Sequence, residues 1–229
     1  MSTQQNRGDA IYASLRQAII EQALKPGVKL PEDQIGEAFG VSRTSVRGAL
    51  IRLSAESLVE MRPNRGAAVA TPTLEEACDV FDMRRTLERE VVLRLCRNLS
   101  TRAIDALETH LGEQERALMA GGPRSIRLTG EFHILLAELT GSATLAQFVN
   151  QIVSRCSLIL AHYGRPHSGE CGCEEHARLV AALRERDAEA ATRIMEHHLG
   201  AVQSRARLDG GENDPDVTEI LSRYVRAAS

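Results

Sequence analysis

From Leu74 to about position 207 apolar residues recur every three to four positions, strand-like alternation is absent, and no proline interrupts the pattern before Pro123. A chain patterned this way over more than half its length is confined to helical packing there, because a period of 3.6 cannot hold one face of a β-strand inward. Breaks at Leu99-Ser100, Gly121-Gly122-Pro123, Thr140-Gly141-Ser142, Gly164 to Gly169 and Arg186-Asp187 divide the region into helices at about 74–97, 101–120, 124–139, 143–163, 172–186 and 188–207. Short connections make neighbouring helices antiparallel, so a bundle is predicted whose interior can house a ligand or a metal. Gly210 to Pro215 then reads as a flexible link to a short last helix, Val217 to Ala227.

The first 72 residues follow a different pattern. Ile11, Leu15, Ala18 and Ile19 fit an amphipathic helix that Lys25-Pro26-Gly27 ends near Ala23. Leu30-Pro31 opens a second helix, about Glu32 to Phe39, with Ile35, Ala38 and Phe39 expected on its inner face. Gly40 supplies the turn, Ser42 the N-cap, and a third helix runs from Arg43 to about Ser54 with Val46, Ala49, Leu50 and Leu53 inward. Leu58 to Met61 and Ala67 to Ala70 read as two strands joined through Asn64 and Gly66, which accept turn dihedrals. Helix-turn-helix plus β-ribbon is a winged helix. The fold class is therefore mainly α, with domains at 1–72 and 73–208 and a tail at 209–229.

Charge sharpens this division. The whole chain carries −3, which speaks against a protein that coats nucleic acid indiscriminately. Residues 1 to 72 hold nine Lys and Arg against seven Asp and Glu, hence +2, and the remainder carries −5. The positive share clusters where a helix-turn-helix meets double-stranded DNA. Arg43, Thr44, Ser45 and Arg47 occupy the first turns of the recognition helix, where Arg can pair with guanine O6 and N7 and hydroxyls can meet phosphates or bases. Asn64, Arg65 and Gly66 form a wing tip suited to the adjacent minor groove. No apolar run is long enough to cross a membrane and no secretory h-region opens the chain, so a cytoplasmic protein is expected. Five cysteines then read as buried thiols, metal ligands or redox groups rather than a disulfide framework.

The stretch from Leu15 to Ala70 resembles the winged helix of the GntR family of bacterial transcription regulators. The shared elements are Pro26-Gly27, Leu30-Pro31-Glu32, Gly40-Val41-Ser42-Arg43-Thr44, Val46-Arg47, Ala49-Leu50, Leu53, Glu56, Leu58-Val59 and Pro63-Asn64-Arg65-Gly66. Ser45 stands where many members have Pro, Gly48 where Glu is usual, and Ser57 where Gly is usual. Asp33 replaces an Arg that touches DNA in some relatives, so that contact is not carried over. The helical remainder resembles the FadR-type C-terminal (FCD) domain in its six-helix VanR-like form. That likeness rests on Phe81 to Glu88, Glu131-Phe132-His133, Glu174-Glu175-His176 and Met195 to Leu199.

The resemblance implies a homodimeric regulator, a repressor, that reads a two-fold operator and responds to a small organic acid or similar metabolite. It also implies a divalent metal (Zn, Ni, Mn or Fe) on His133, His176 and His198. The family's fourth ligand, an Asp or Asn one turn before the first His, is Thr129 here. Three accounts of the histidines stay open: a metal completed by water or an effector carboxylate, direct binding of an anion, or packed core residues. Arg84 matches a family position suited to an effector carboxylate and equally could pair with Glu88. Arg155, between Val153 and Leu158, is a second effector candidate. His197 points about 100° away from His198 around the helix and reads as surface. His110, His162 and His167 have no identifiable partner. Cys171 and Cys173 precede His176 and read as loop thiols, with a substitute metal ligand or a redox pair with Cys156 as alternatives; Cys78 and Cys96 read as inert. A metal-sensing regulator is the alternative function, and a three-His metal-dependent enzyme a further one.

Overall fold

The computed structural model describes residues 2–164, 170–206 and 208. The predicted last helix and His167 lie outside the described residues. Among those described, the order is α1 (Ser2–Ile20), β1 (Lys29–Leu30), α2 (Glu32–Phe39), α3 (Arg43–Ala55), β2 (Val59–Arg62), β3 (Gly66–Val69), α4 (Leu74–Asn98), α5 (Thr101–Ala120), α6 (Pro123–Leu139), α7 (Ala143–Tyr163), α8 (Glu170–Arg184) and α9 (Ala188–Arg205). The mainly helical class and the winged helix followed by a bundle are as read from the sequence.

In the N-terminal unit, Ile11, Ile19, Val46, Leu50, Leu53 and Leu58 are fully buried in one core. Two features differ from expectation. The helix-turn-helix gains a strand, β1, whose two residues pair with β3 to give the sheet order β1-β3-β2. In α2 the buried residue is Gly36, while Ala38 and Phe39 face solvent. A Cβ on Gly36 would lie 3.0 Å from the Val41 carbonyl oxygen, so glycine is what allows α2 to approach the turn before α3. Ser42 caps α3, its hydroxyl accepting from the Ser45 N–H.

Ser57, the departure from glycine, has φ of 57°. A left-handed residue with a Cβ carries a penalty of about 1–2 kcal/mol. Ser57→Gly is therefore expected to stabilise the fold by roughly 1 kcal/mol, read as a rise in the urea midpoint at unchanged slope.

The bundle packs α4 to α9 around Val92, Leu95, Leu107, Phe132, Leu136, Val149, Leu183 and Leu199. Thr73, Ser100, Ser142 and Asp187 cap α4, α5, α7 and α9 through their side chains. Residues 153–159 of α7 are all buried, because this helix is enclosed on every side. One side completes the bundle. The other carries Leu158 into the core of the N-terminal unit.

Polar contacts fasten the same boundary. Arg16 of α1 donates to Glu56 (3.2 Å) and to Asn150 of α7 (2.6 Å), and Arg127 of α6 donates to Glu21 (2.8 Å). Arg155 donates to the Ser57 carbonyl oxygen and, through Nε at 2.6 Å, to Glu76. Thus α6 and α7 are each shared between the DNA-binding unit and the bundle interior.

Candidate functional site

In the winged helix, Arg43, Thr44, Arg47, Asn64, Arg65 and Gly66 are all exposed, and Ser45 is half-buried in the cap. Asn64 and Gly66 take φ of 58° and 77°, which closes the wing turn and projects Arg65. Arg43 does not stand free, since its guanidinium makes two hydrogen bonds to the Asp33 carboxylate. Those hydrogen bonds and the charge of Asp33 raise the Arg43 pKa further. Asp33 thus restrains the first arginine of the recognition helix. Asp33→Ala is expected to release Arg43, tighten DNA binding, and steepen the log K against log salt slope by about one phosphate contact. An unchanged slope would mean that Arg43 already leaves Asp33 in the complex.

Inside the bundle, α4, α6, α8 and α9 bring Glu88, His133, His176 and His198 together. The three imidazoles are almost completely buried. Their Nε2 atoms turn toward one another, His198 lying 3.2 Å from His133 and 3.3 Å from His176. Every Nδ1 is held from behind: His133 by Glu88, His176 by Gln114 (2.9 Å) and His198 by Glu175 (2.7 Å). With each Nδ1–H donating outward, three Nε2 lone pairs face a common point. Lone pairs at hydrogen-bond distance with no hydrogen between them repel, and a cation relieves that repulsion. Burial lowers the pKa of all three rings, His176 and His198 well below the usual value, which keeps them in the neutral ligating form. Phe132 stacks on His176 with centroids 4.0 Å apart and fixes that ring's plane. The donor set therefore fits a divalent metal.

Arg84 and Glu88, one turn apart on α4, form a buried ion pair of 2.6 Å. Burial would raise the Glu88 pKa, but His133 and Arg84 outweigh it and carry it down to about 2. Arg84 also donates to the Cys156 sulfur at 3.1 Å, and burial pushes that thiol up. Both readings of Arg84 meet here: it is paired with Glu88, and it lines a cavity of about 410 Å³ beside His133 and His198. Thr129 lines the same cavity, its hydroxyl donating to the Ser125 carbonyl at 2.9 Å.

Arg155 does not belong to this site. It points to the opposite side of α7, into the domain boundary, because the enclosed helix offers buried surroundings in more than one direction.

Other residues that the sequence left aside do take part. Gln114 and Glu175 orient the rings, and the Glu175 carboxylate also accepts from exposed His197 at 3.0 Å. His110 contacts the Leu128 carbonyl at 3.0 Å. Cys173 is half-buried against Gln114, outside the histidine cluster; Cys78 is exposed and Cys96 buried. The Cys171 side chain lies outside the described residues.

Comparison with known proteins decides the family. The pattern described as "Bacterial regulatory proteins, gntR family" matches residues 7–69, and that of the FCD domain matches residues 79–201. The chain is a GntR-family regulator with an FCD domain. It is 27% identical over 193 residues to the uncharacterized HTH-type transcriptional regulator YdhC of Bacillus subtilis (strain 168), covering 82% of this chain and 85% of that one. With the HTH-type transcriptional repressor RspR of Escherichia coli (strain K12) it shares 26% over 208 residues, 89% and 90% of the two chains. Among solved structures, E. coli McbR/YncC has the same fold, with a TM-score of 0.75 at 22% identity over 86% of this chain and 97% of that one. A GntR-type regulator from Rhodococcus sp. RHA1 gives the same TM-score and identity over 91% and 100%. The GntR-family regulator is thus a DNA-binding transcriptional regulator and not an enzyme.

Proposed function

We propose that this GntR-family protein is a cytoplasmic, homodimeric repressor. Its grip on a pseudo-palindromic operator is released by a small organic acid bound beside a metal in the FCD cavity. The observation that carries the reading is the convergence of three Nε2 atoms, with His133 and His198 of the three on the wall of a cavity that also holds Arg84.

His133, His176 and His198 would hold the ion, which when bound supplies Lewis-acid attraction for a carboxylate oxygen. The charge immediately around the three rings turns in favour of an anion when the ion is present. Arg84 contributes +1 against −1 each from Glu88 and Glu175, so the cluster is −1 alone and +1 with a divalent cation. The cavity is far larger than an ion requires, which favours an organic effector over the metal alone.

The effector acts by favouring one arrangement of the two winged helices. The walls it touches, α6 and α7, are the helices that hold the DNA-binding unit through Arg127, Arg155 and Leu158. Two experiments test the reading. Arg43→Ala should weaken binding to an operator selected from random duplexes by about 1–3 kcal/mol at physiological salt, and unchanged affinity would remove the recognition-helix assignment. A thermal-shift screen of carboxylates and sugar acids should find ligands that raise Tm in the presence of zinc and fail to do so after chelation.

A further inference from the structure

The cavity is not lined by the FCD domain alone. Gln22 and Lys25, from the loop between α1 and β1 of the DNA-binding unit, form part of its wall. That loop is firmly tied: the Leu24 N–H donates to Ala18 (3.0 Å), the Gly27 N–H to Val69 (2.9 Å), and the Val28 N–H to Lys25 (3.1 Å). Gly27 at φ of 82° allows the turn that sets Lys25 in place. Among the described residues, Lys25 is exposed and has no ion-pair partner.

The rest of the lining has a definite polarity. Ser125, Thr129 and Ser157 each donate their hydroxyl proton to a carbonyl of their own chain, at 2.7, 2.9 and 3.2 Å. They therefore present lone pairs to the cavity, which suit a ligand's hydroxyl hydrogens and repel a carboxylate. Gln114, almost fully buried and also lining the cavity, has an Nε2 donor without a partner. Cationic groups thus stand on both units, Arg84 and Arg205 on the bundle and Lys25 on the DNA-binding unit, with hydrogen-bond acceptors in the same lining.

We infer that the effector is a hydroxylated dicarboxylate whose second carboxylate is taken by Lys25, so that the ligand itself ties the DNA-binding unit to the FCD domain. This rests on the reading of the cavity as a carboxylate site, and it adds the ligand's class and a direct route from ligand to DNA. Occupancy pins the loop that follows α1, whose first residue, Glu21, is already fastened to α6, while Arg16 fastens α1 itself to α7.

The test is calorimetric titration of the zinc-loaded full chain with three six-carbon probes: galactarate (two carboxylates, hydroxylated), galactonate (one carboxylate, hydroxylated) and adipate (two carboxylates, no hydroxyls). Wild type should bind galactarate roughly threefold to fivefold more tightly than galactonate, the size of one partly screened charge pair, and more tightly than adipate, which lacks the hydroxyls that meet the acceptor lining. Lys25→Gln, which removes an exposed and unpaired side chain, should bring galactarate to the level of galactonate and leave galactonate unchanged. Galactonate binding as tightly as galactarate to wild type, or a galactarate advantage surviving in Lys25→Gln, would overturn the Lys25 clasp while the carboxylate site stands. Adipate matching galactarate would overturn the hydroxylated class. If none of the three binds wild type, the inference and the carboxylate reading fall together.

Discussion

Arg84→Ala is expected to cost the fold about 3–5 kcal/mol, because it leaves the Glu88 carboxylate buried without its guanidinium. Arg84 and Glu88 have side chains only 5% and 1% exposed, so water in the adjoining cavity replaces the lost guanidinium poorly. The loss should appear as a lower urea midpoint with an unchanged slope. Glu88→Gln should be destabilising for the mirror reason, leaving Arg84 unpaired. If the ion pair is the cause, Arg84→Met combined with Glu88→Leu should be more stable than either single change, since a buried pair replaced by apolar groups of similar size is often neutral. Metal affinity should behave differently. Glu88 also holds the Nδ1 of His133, and removing such an orienting partner typically costs about 10- to 100-fold in metal affinity, which the apolar pair cannot restore. Stability that recovers while zinc affinity stays low would assign both roles to Glu88. Single variants as stable as wild type would show that the pair contributes little.

Much of this arrangement is legible in the amino-acid sequence, and the exceptions have physical causes. The six bundle helices followed from apolar spacing and from the breaks between them, where Ser100, Ser142 and Asp187 prove to cap α5, α7 and α9. Helix α1 begins earlier than expected because Ser2 to Gly8 is polar and offers no periodicity to read. Strand β1 has two residues, too few for alternation to register. Arg155 was misdirected for a reason particular to α7. When every residue from 153 to 159 is buried, spacing reports burial but not which neighbour a side chain meets. Gln114 could have been found: it lies on the stripe of Ala103, Leu107 and Ala117, where a polar residue among apolar ones signals a buried hydrogen-bond duty. Glu175 could not, because a carboxylate beside His176 in an acidic run looks the same whether it orients a ring or meets solvent.

Chelation of the purified protein should lower Tm by about 5–10 °C. A ligand held at 100 times its Kd stabilises by about 2.7 kcal/mol, and a chain of this size shifts roughly 2–4 °C per kcal/mol. Readdition of zinc should restore the lost Tm. His198→Ala should abolish both the metal and the chelator response, since His198 lies between the other two rings and its loss leaves their Nε2 atoms without a third donor. Thr129→Asp supplies the opposite test. Thr129 sits one turn before His133 on α6 and lines the cavity, so a carboxylate there adds a fourth ligand and one negative charge. Zinc affinity should rise by at least about tenfold, the equivalent of about 1.4 kcal/mol. The same added charge takes the metal-loaded cluster from +1 to neutral and fills the position that a carboxylate effector would use. Tighter zinc should therefore come with weaker organic-acid binding and a regulator that stays on its operator. Tighter zinc with undiminished acid binding would separate the two sites and leave Arg84 and Lys25 as the effector's partners without the ion.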